Sequence, residues 1–322
     1  MAEILESLRG FIQYTAALRV KDVAEQRVKE FADKVLRDFS RAGGGDPAAF
    51  MDPDFQAVVQ AAQMGAARSS DETVSDALVS LISDRSKQQE RSRLALTLND
   101  AVEIASVLTK NEFAELSLIY FVTQTLHHGA GNLETFIQML HQYILPFVPE
   151  CTTQPSSYSY LESKRCVRIN TLQKYSIKNF LNDKYGGIFC LGFSEEELNT
   201  ALGSEHSGSA SNSSIVIPCI NDSSLLQVRA INKDTAKDTL EKHGITGQPK
   251  ERLIALYLSK FMSAQDAARL VKEHEPRFGE FETLWEKSII GNCVPTTVGT
   301  AIGHSNLRRV SGLDAELSTW IS

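Results

Sequence analysis

Residues 291–322, GNCVPTTVGTAIGHSNLRRVSGLDAELSTWIS, hold the strongest pattern in the chain, and the rest reads as a body built to receive them. Thr296 or Thr297 is placed to cap a helix that sets Val298, Ala301, Ile302 and Leu307 on one side. Gly299 and Gly303, four residues apart within a T-x-V-G-x-A-I-G-H string, form a small-residue seam where another backbone can approach closely. Beyond Gly312, the residues Leu313, Leu317, Trp320 and Ile321 fall at i, i+4, i+7 and i+8. Leaving such side chains in water is unfavourable by roughly 1.5–3 kcal/mol each, so the terminus is expected to dock on its own fold. The polar residues His304, Asn306, Arg308 and Arg309 have two readings: a recognition face, or the cationic last turn of a helix that stops at Gly312. The second is preferred.

A length of 322 residues predicts two domains of ordinary size. The net charge of -7 is uneven: residues 1–150 hold 14 Lys and Arg against 21 Asp and Glu, and residues 151–322 hold 19 of each. The first half therefore repels phosphate overall, and only a local basic patch could meet a nucleic acid. Five cysteines without a C-x-x-C pair fit reduced thiols. No run of 18 apolar residues occurs, so a cytoplasmic protein with no membrane partner is expected.

From Glu3 to Arg41 apolar residues recur every three or four positions with no proline, which predicts a long amphipathic helix. A helix of that length often meets a second chain, and Ile12, Val20, Val28, Phe31, Val35 and Phe39 are the candidate self-association residues of a homo-oligomer. Gly43-Gly44-Gly45-Asp46-Pro47 breaks it as a linker; a phosphate loop would need a preceding strand and a following lysine. Further helices are expected from Asp52-Pro53, from Ser70-Asp71, over Leu94–Leu108, from the T-x-x-E capping box Thr109–Glu112, and from Asn132. Consecutive helices with short loops pack as an antiparallel array.

Three strings carry a family resemblance: DPDFQAVVQAAQMGAARSSDETVSDALVSLISDRSKQQERSRLALTLNDAVEIASVLT (52–109), LWEKSIIGNCVPTTVGTAIGHSNLRR (284–309) and AELSTWIS (315–322). The chain resembles an uncharacterised bacterial family designated by locus tags. The resemblance covers most of residues 50–125 and 280–322. It implies an intracellular bacterial protein with a helical first half, and it implies no activity.

Residues 149–160, PECTTQPSSYSY, shift to Pro, Ser and Thr and are read as the domain boundary. Between Leu161 and Lys184 six basic residues face two acidic ones, which makes Lys164, Arg165, Arg168, Lys174 and Lys178, with Arg308 and Arg309, the candidate nucleic-acid patch. Gly203 to Ser214 reads as a mobile loop, and Ile215–Ile220 with Leu225–Ile231 as a β-hairpin with Pro218 at an edge. Three helices, over 234–243, 249–262 and 263–274, complete the prediction. The expected fold is mainly α: an arm (1–45), a helical domain (46–150), and a smaller α+β domain (151–322) that contains the hairpin and docks the C-terminal tail.

Chemistry is weakly signalled. His127, His128 and His141 lack the spacing that puts metal ligands on one helix face, and no G-x-S-x-G elbow or dinucleotide loop is present. No catalytic residue, cofactor or metal is therefore assigned. The reading from sequence is a non-catalytic interaction or regulatory protein acting through self-association and a protein partner. The alternatives are a nucleic-acid-binding regulator, and an enzyme of unrecognised type.

Overall fold

The computed structural model describes residues 2–88, 90–203, 214–313 and 315–321, and of residues 2–19 the backbone only. In chain order the first helices are α1 (Ala2–Phe39), α2 (Pro53–Arg68), α3 (Glu72–Ser86), α4 (Arg93–Ala105), α5 (Lys110–Gln124), α6 (Leu133–Tyr143) and α7 (Pro155–Ser163). Strand β1 (Val167–Ile169) and a π-helical turn at Asn179–Lys184 precede α8 (Glu195–Leu202), β2 (Val216–Pro218) and β3 (Leu226–Val228). Then come α9 (Lys233–Lys242), α10 (Gly247–Ser259), α11 (Ala264–His274), α12 (Phe278–Lys287), β4 (Cys293–Pro295) and α13 (Thr297–Ser311). The fold is mainly α with two small two-stranded sheets, β1 with β4 and β2 with β3.

Local sequence signals set most of these boundaries. Asp52, Asp71, Ser92 and Thr296 each accept a backbone N–H of the first turn of α2, α3, α4 and α13. Asn132 with Thr135 and Ser194 with Glu197 form capping boxes at α6 and α8. At α5 the Glu112 carboxylate takes both the amide and the hydroxyl of Thr109, at 2.7 and 2.5 Å. The hairpin pairs Val216 with Val228 and Pro218 with Leu226, antiparallel. The chain is helical over 177–185, with the π-helical turn inside that range, and the Asn179 side chain accepts from the Ser176 amide and hydroxyl at its start. The stretch Gly203–Ser214 expected as a loop lies almost wholly outside the described residues.

The chain folds into two compact units, each assembled from separated segments. The first comprises Met1–Tyr120, Ser156–Ile169 and Val294–Ser322; the second, Phe121–Pro155 and Asn170–Cys293. This differs from the expected linear order of arm, helical domain and α+β domain. The chain does pass between units inside 149–160, but that stretch is no free linker. Its second half forms α7, which buries Tyr158 and Leu161, and Ser157 donates to Glu115 at 2.7 Å. The arm is likewise not free along its length: α1 packs on α2 and α3, with Phe31 and Val35 in the core.

In the first unit α13 is a core helix. Nine consecutive residues, Gly299 to Leu307, are buried, more than one amphipathic face provides. A side chain at Gly303 would meet the Leu116 carbonyl at 2.5 Å, and one at Gly299 would strike the Cys166 carbonyl. The Gly312 residue ends α13 in the left-handed conformation, φ 70°. Leu317 and Ile321 then bury themselves, so the tail docks. The second unit has its own core, built on Phe193, Leu198, Val228, Leu240, Leu253 and Tyr257, and an aromatic cluster of Phe136, Phe180, Tyr185, Phe189 and Phe281.

Candidate anion-binding cleft

Lys34, Arg37 and Arg41 recur at spacings of three and four: the first two share one face of α1 near its end at Phe39, and Arg41 follows just past it. Within the first unit this face lines an open cleft of about 950 Å³ together with Lys87, just past the end of α3, and with Arg308 and Arg309 in the last turn of α13. Ser80 and Ser83 contribute hydroxyls, and the tail residues Leu313, Ala315 and Glu316 complete the wall. The volume lies within the range of small-molecule sites.

The six cations are unequally neutralised. Lys34 holds Asp76 at 2.6 Å, Arg41 pairs with Asp38, and Arg308 grips Asp84 through both terminal nitrogens at 2.7 and 2.8 Å while donating to Ser80 at 2.9 Å. The other three are poorly matched. Arg309 donates to the Asn306 side chain at 2.8 Å, and its nearest carboxylate, Asp76 at 3.8 Å, is already held by Lys34. Burial lowers the Arg309 pKa, the sign of a cation short of compensation. Lys87 donates only to the Gly43 carbonyl, 2.9 Å away, and Arg37 has no ion pair or hydrogen-bond partner among the described residues. Among the described residues that line the cleft, with the adjoining Asp84 counted beside Asp38, Asp76 and Glu316, six positive charges meet four negative ones, a formal excess of two, and Asp71 acts on Arg309 from beyond the lining. Part of that charge serves the fold: Arg37, Arg308 and Arg309 sit in helix last turns, where each stabilises the negative helix end by about 0.3–1 kcal/mol.

The expected nucleic-acid residues divide between the two units. Arg308 and Arg309 reach the cleft; Lys164, Arg165 and Arg168 do not line it. Lys164 lies over the Tyr160 ring, 5.1 Å from its centroid. Lys174 and Lys178 belong to the second unit, where Lys174 donates to the carbonyls of Glu286 and Ser288. Reading His304 and Asn306 as part of an exposed recognition face fails, because both are buried. The Asn306 amide donates to Ser117 at 2.8 Å and His304 Nε2 bonds the Ala315 carbonyl at 2.8 Å, which ties the tail to α13. Sequence reasoning missed Lys34, Arg37, Arg41 and Lys87. The 34, 37, 41 spacing on α1 was the available signal; nothing in the sequence brings Lys87 to it.

Of the self-association candidates, Phe31 and Val35 are buried in their own unit, Val28 and Phe39 are half-buried, and Ile12 lies outside the described side chains. Val20 is 69% exposed. With Val23, Ala24, Arg27, Ala67 and Arg68 it borders a shallow, mostly apolar groove of about 530 Å³. Among the described residues no group of three or more His, Cys, Asp or Glu converges as a metal site would require. Among the same residues no helix is long and apolar enough to cross a membrane.

The fold and the cleft define a mainly α protein with a basic, solvent-open site. A protein-family model described only by a "-like" designation matches residues 11–321; the chain belongs to that uncharacterised family. No curated protein and no solved structure matches it.

Proposed function

We propose that the protein is a non-catalytic interaction protein of regulatory role, which holds its partner by an anionic group in the cleft of the first unit. The observation that supports this is the excess of cations there, four of the six coming from a chain half whose overall charge is acidic. Arg37, Lys87 and Arg309 come from three separate segments; Arg37 and Lys87 have no ion pair among the described residues, and Arg309 has only the 3.8 Å pair with an Asp76 that Lys34 already holds, so an incoming anion would gain charge-assisted hydrogen bonds at little cost in existing pairs. A bacterial, cytoplasmic setting belongs to the same reading; five free thiols are in keeping with it. The test is titration at low salt with a panel of anions: pyrophosphate, succinate, an acidic peptide and a single-stranded oligonucleotide. Binding of at least one member at sub-millimolar concentration, weakened by Arg37→Glu, is expected. A folded protein that binds none of them sinks the reading.

A second reading, self-association through α1, is supported by the exposed Val20 and Val23 beside the groove on α2. A second copy would cover both valines through the same helix face, as two-fold interfaces do. Sedimentation analysis of the full chain is expected to show a dimer that Val20→Asp/Val23→Asp dissociates. A full-length protein that is monomeric at tens of micromolar removes this reading.

A further inference from the structure

We infer that the anion held in the cleft is a phosphate dianion, a phosphomonoester or diphosphate group, and not a carboxylate. This deepens the anion-cleft reading above and rests on it. Two features separate the two chemistries. The first is charge: the formal excess of two among the described cleft residues matches a phosphomonoester, which carries about 1.5 to 2 negative charges at neutral pH, whereas a carboxylate carries one. The second is direction. A carboxylate is planar with two oxygens, which suits one arginine fork, and the cleft already shows that use in the Arg308–Asp84 pair. Three cations are unpaired or only loosely paired and stand on three different segments: Arg37 on α1 and Lys87 after α3, with no ion pair among the described residues, and Arg309 on α13, 3.8 Å from an Asp76 that Lys34 already holds. Three donors that line one cleft from separate elements fit a group with three terminal oxygens. They fit poorly to a flat one.

Arg37 and Lys87 are exposed, so replacing them leaves the core of the unit untouched. The experiment is calorimetric titration of the full-length protein at low salt with pyrophosphate, glycerol phosphate, a phosphoserine peptide, its unphosphorylated glutamate counterpart, and succinate. Phosphate compounds are expected to bind at least tenfold more tightly than succinate and the glutamate peptide. Arg37→Glu and Lys87→Glu are each expected to weaken phosphate binding about tenfold or more, a change typical of losing one charge-assisted contact. Preference for the free phosphates or for the phosphopeptide tells whether the source is a small molecule or a modified protein, and either supports the assignment. A second readout does not depend on variants: pyrophosphate is expected to protect Lys87 from an amine-acylating reagent, followed by mass spectrometry.

Equal or tighter binding of succinate or the glutamate peptide overturns the phosphate assignment while leaving the anion cleft standing. Failure of every anion to bind overturns both. Oligonucleotide retention that Arg37→Glu abolishes but pyrophosphate does not compete also overturns the assignment, in favour of a nucleic-acid interface.

Discussion

Arg308 and Asp84, 224 residues apart in the chain, are joined by two parallel hydrogen bonds of 2.7 and 2.8 Å that tie the end of α13 to the end of α3. Asp84 is nearly buried, so removing Arg308 strands a carboxylate with little water to replace its partner. Arg308→Met is expected to cost about 2–4 kcal/mol, and the Asp84→Asn/Arg308→Met double variant less than the sum of the single losses. Denaturant unfolding of all four proteins measures the coupling.

Gly303→Ala places a methyl group 2.5 Å from the Leu116 carbonyl, a backbone atom that cannot swing aside. A net loss of about 1–3 kcal/mol is expected, after about 1 kcal/mol gained from helix propensity. Gly299→Ala, facing the Cys166 carbonyl, is expected to behave alike. An unfolding midpoint equal to that of the parent protein would refute the close packing of this seam.

Truncation after Gly312 removes Leu317 and Ile321 from their buried sites and opens one wall of the cleft. Burial of such side chains contributes roughly 1.5–3 kcal/mol each. The shortened protein is expected to melt earlier and to aggregate, read by differential scanning fluorimetry with light scattering.

His304 predicts acid sensitivity. Burial depresses its pKa; the bond to the Ala315 carbonyl, Asp84 and Glu316 act in the opposite direction, and Arg308 adds to the depression. The native imidazole thus stays neutral while the unfolded chain takes up a proton as pH falls through about 6.5, so stability is lost from there down to the native pKa. His127, depressed by burial and by His128, acts with the same sign in the second unit. His304→Gln is expected to flatten part of the decline between pH 7 and 5 in thermal melts, and His127→Gln a further part.

In the second unit, burial pulls the Lys184 pKa down to about 7, and its amine donates to the Val122 carbonyl at 2.5 Å beside the Tyr175 ring. The unfolded chain keeps that proton up to about pH 10.5, so this residue makes stability rise from pH 7 toward 10.5. Lys184→Met is expected to be more stable than the parent at pH 7, by about 1–3 kcal/mol, with the difference shrinking as pH rises. Chemical unfolding at pH 7 and 9 provides the comparison.

Much of the local structure was legible because it is written in short-range chemistry. Asp52-Pro53, Asn132 and Ser194 start helices by offering an acceptor to orphan amides, and this needs no distant residue. The hairpin around Pro218 was legible for the same reason. The helix inside the boundary stretch 149–160 was not, because Pro and Ser at a helix start look like a loop until Tyr158 and Leu161 find a surface to cover. The burial of His304 and Asn306 was not legible, because a polar residue in a core helix is betrayed only by its partner, here Ala315 and Ser117.

By itself, then, the sequence determined the mainly α class, most helix starts, the Gly299–Gly303 seam and the docking of an apolar tail, all of which follow from capping, periodicity and side-chain size. Only the tertiary structure decided that two units are stitched from separated segments, and that Lys34, Arg37, Lys87 and Arg309 share one cleft. The reason is physical. Charges on α1, α3 and α13 acquire a common field only when packing brings the helix ends together, and no spacing rule reaches across more than two hundred residues.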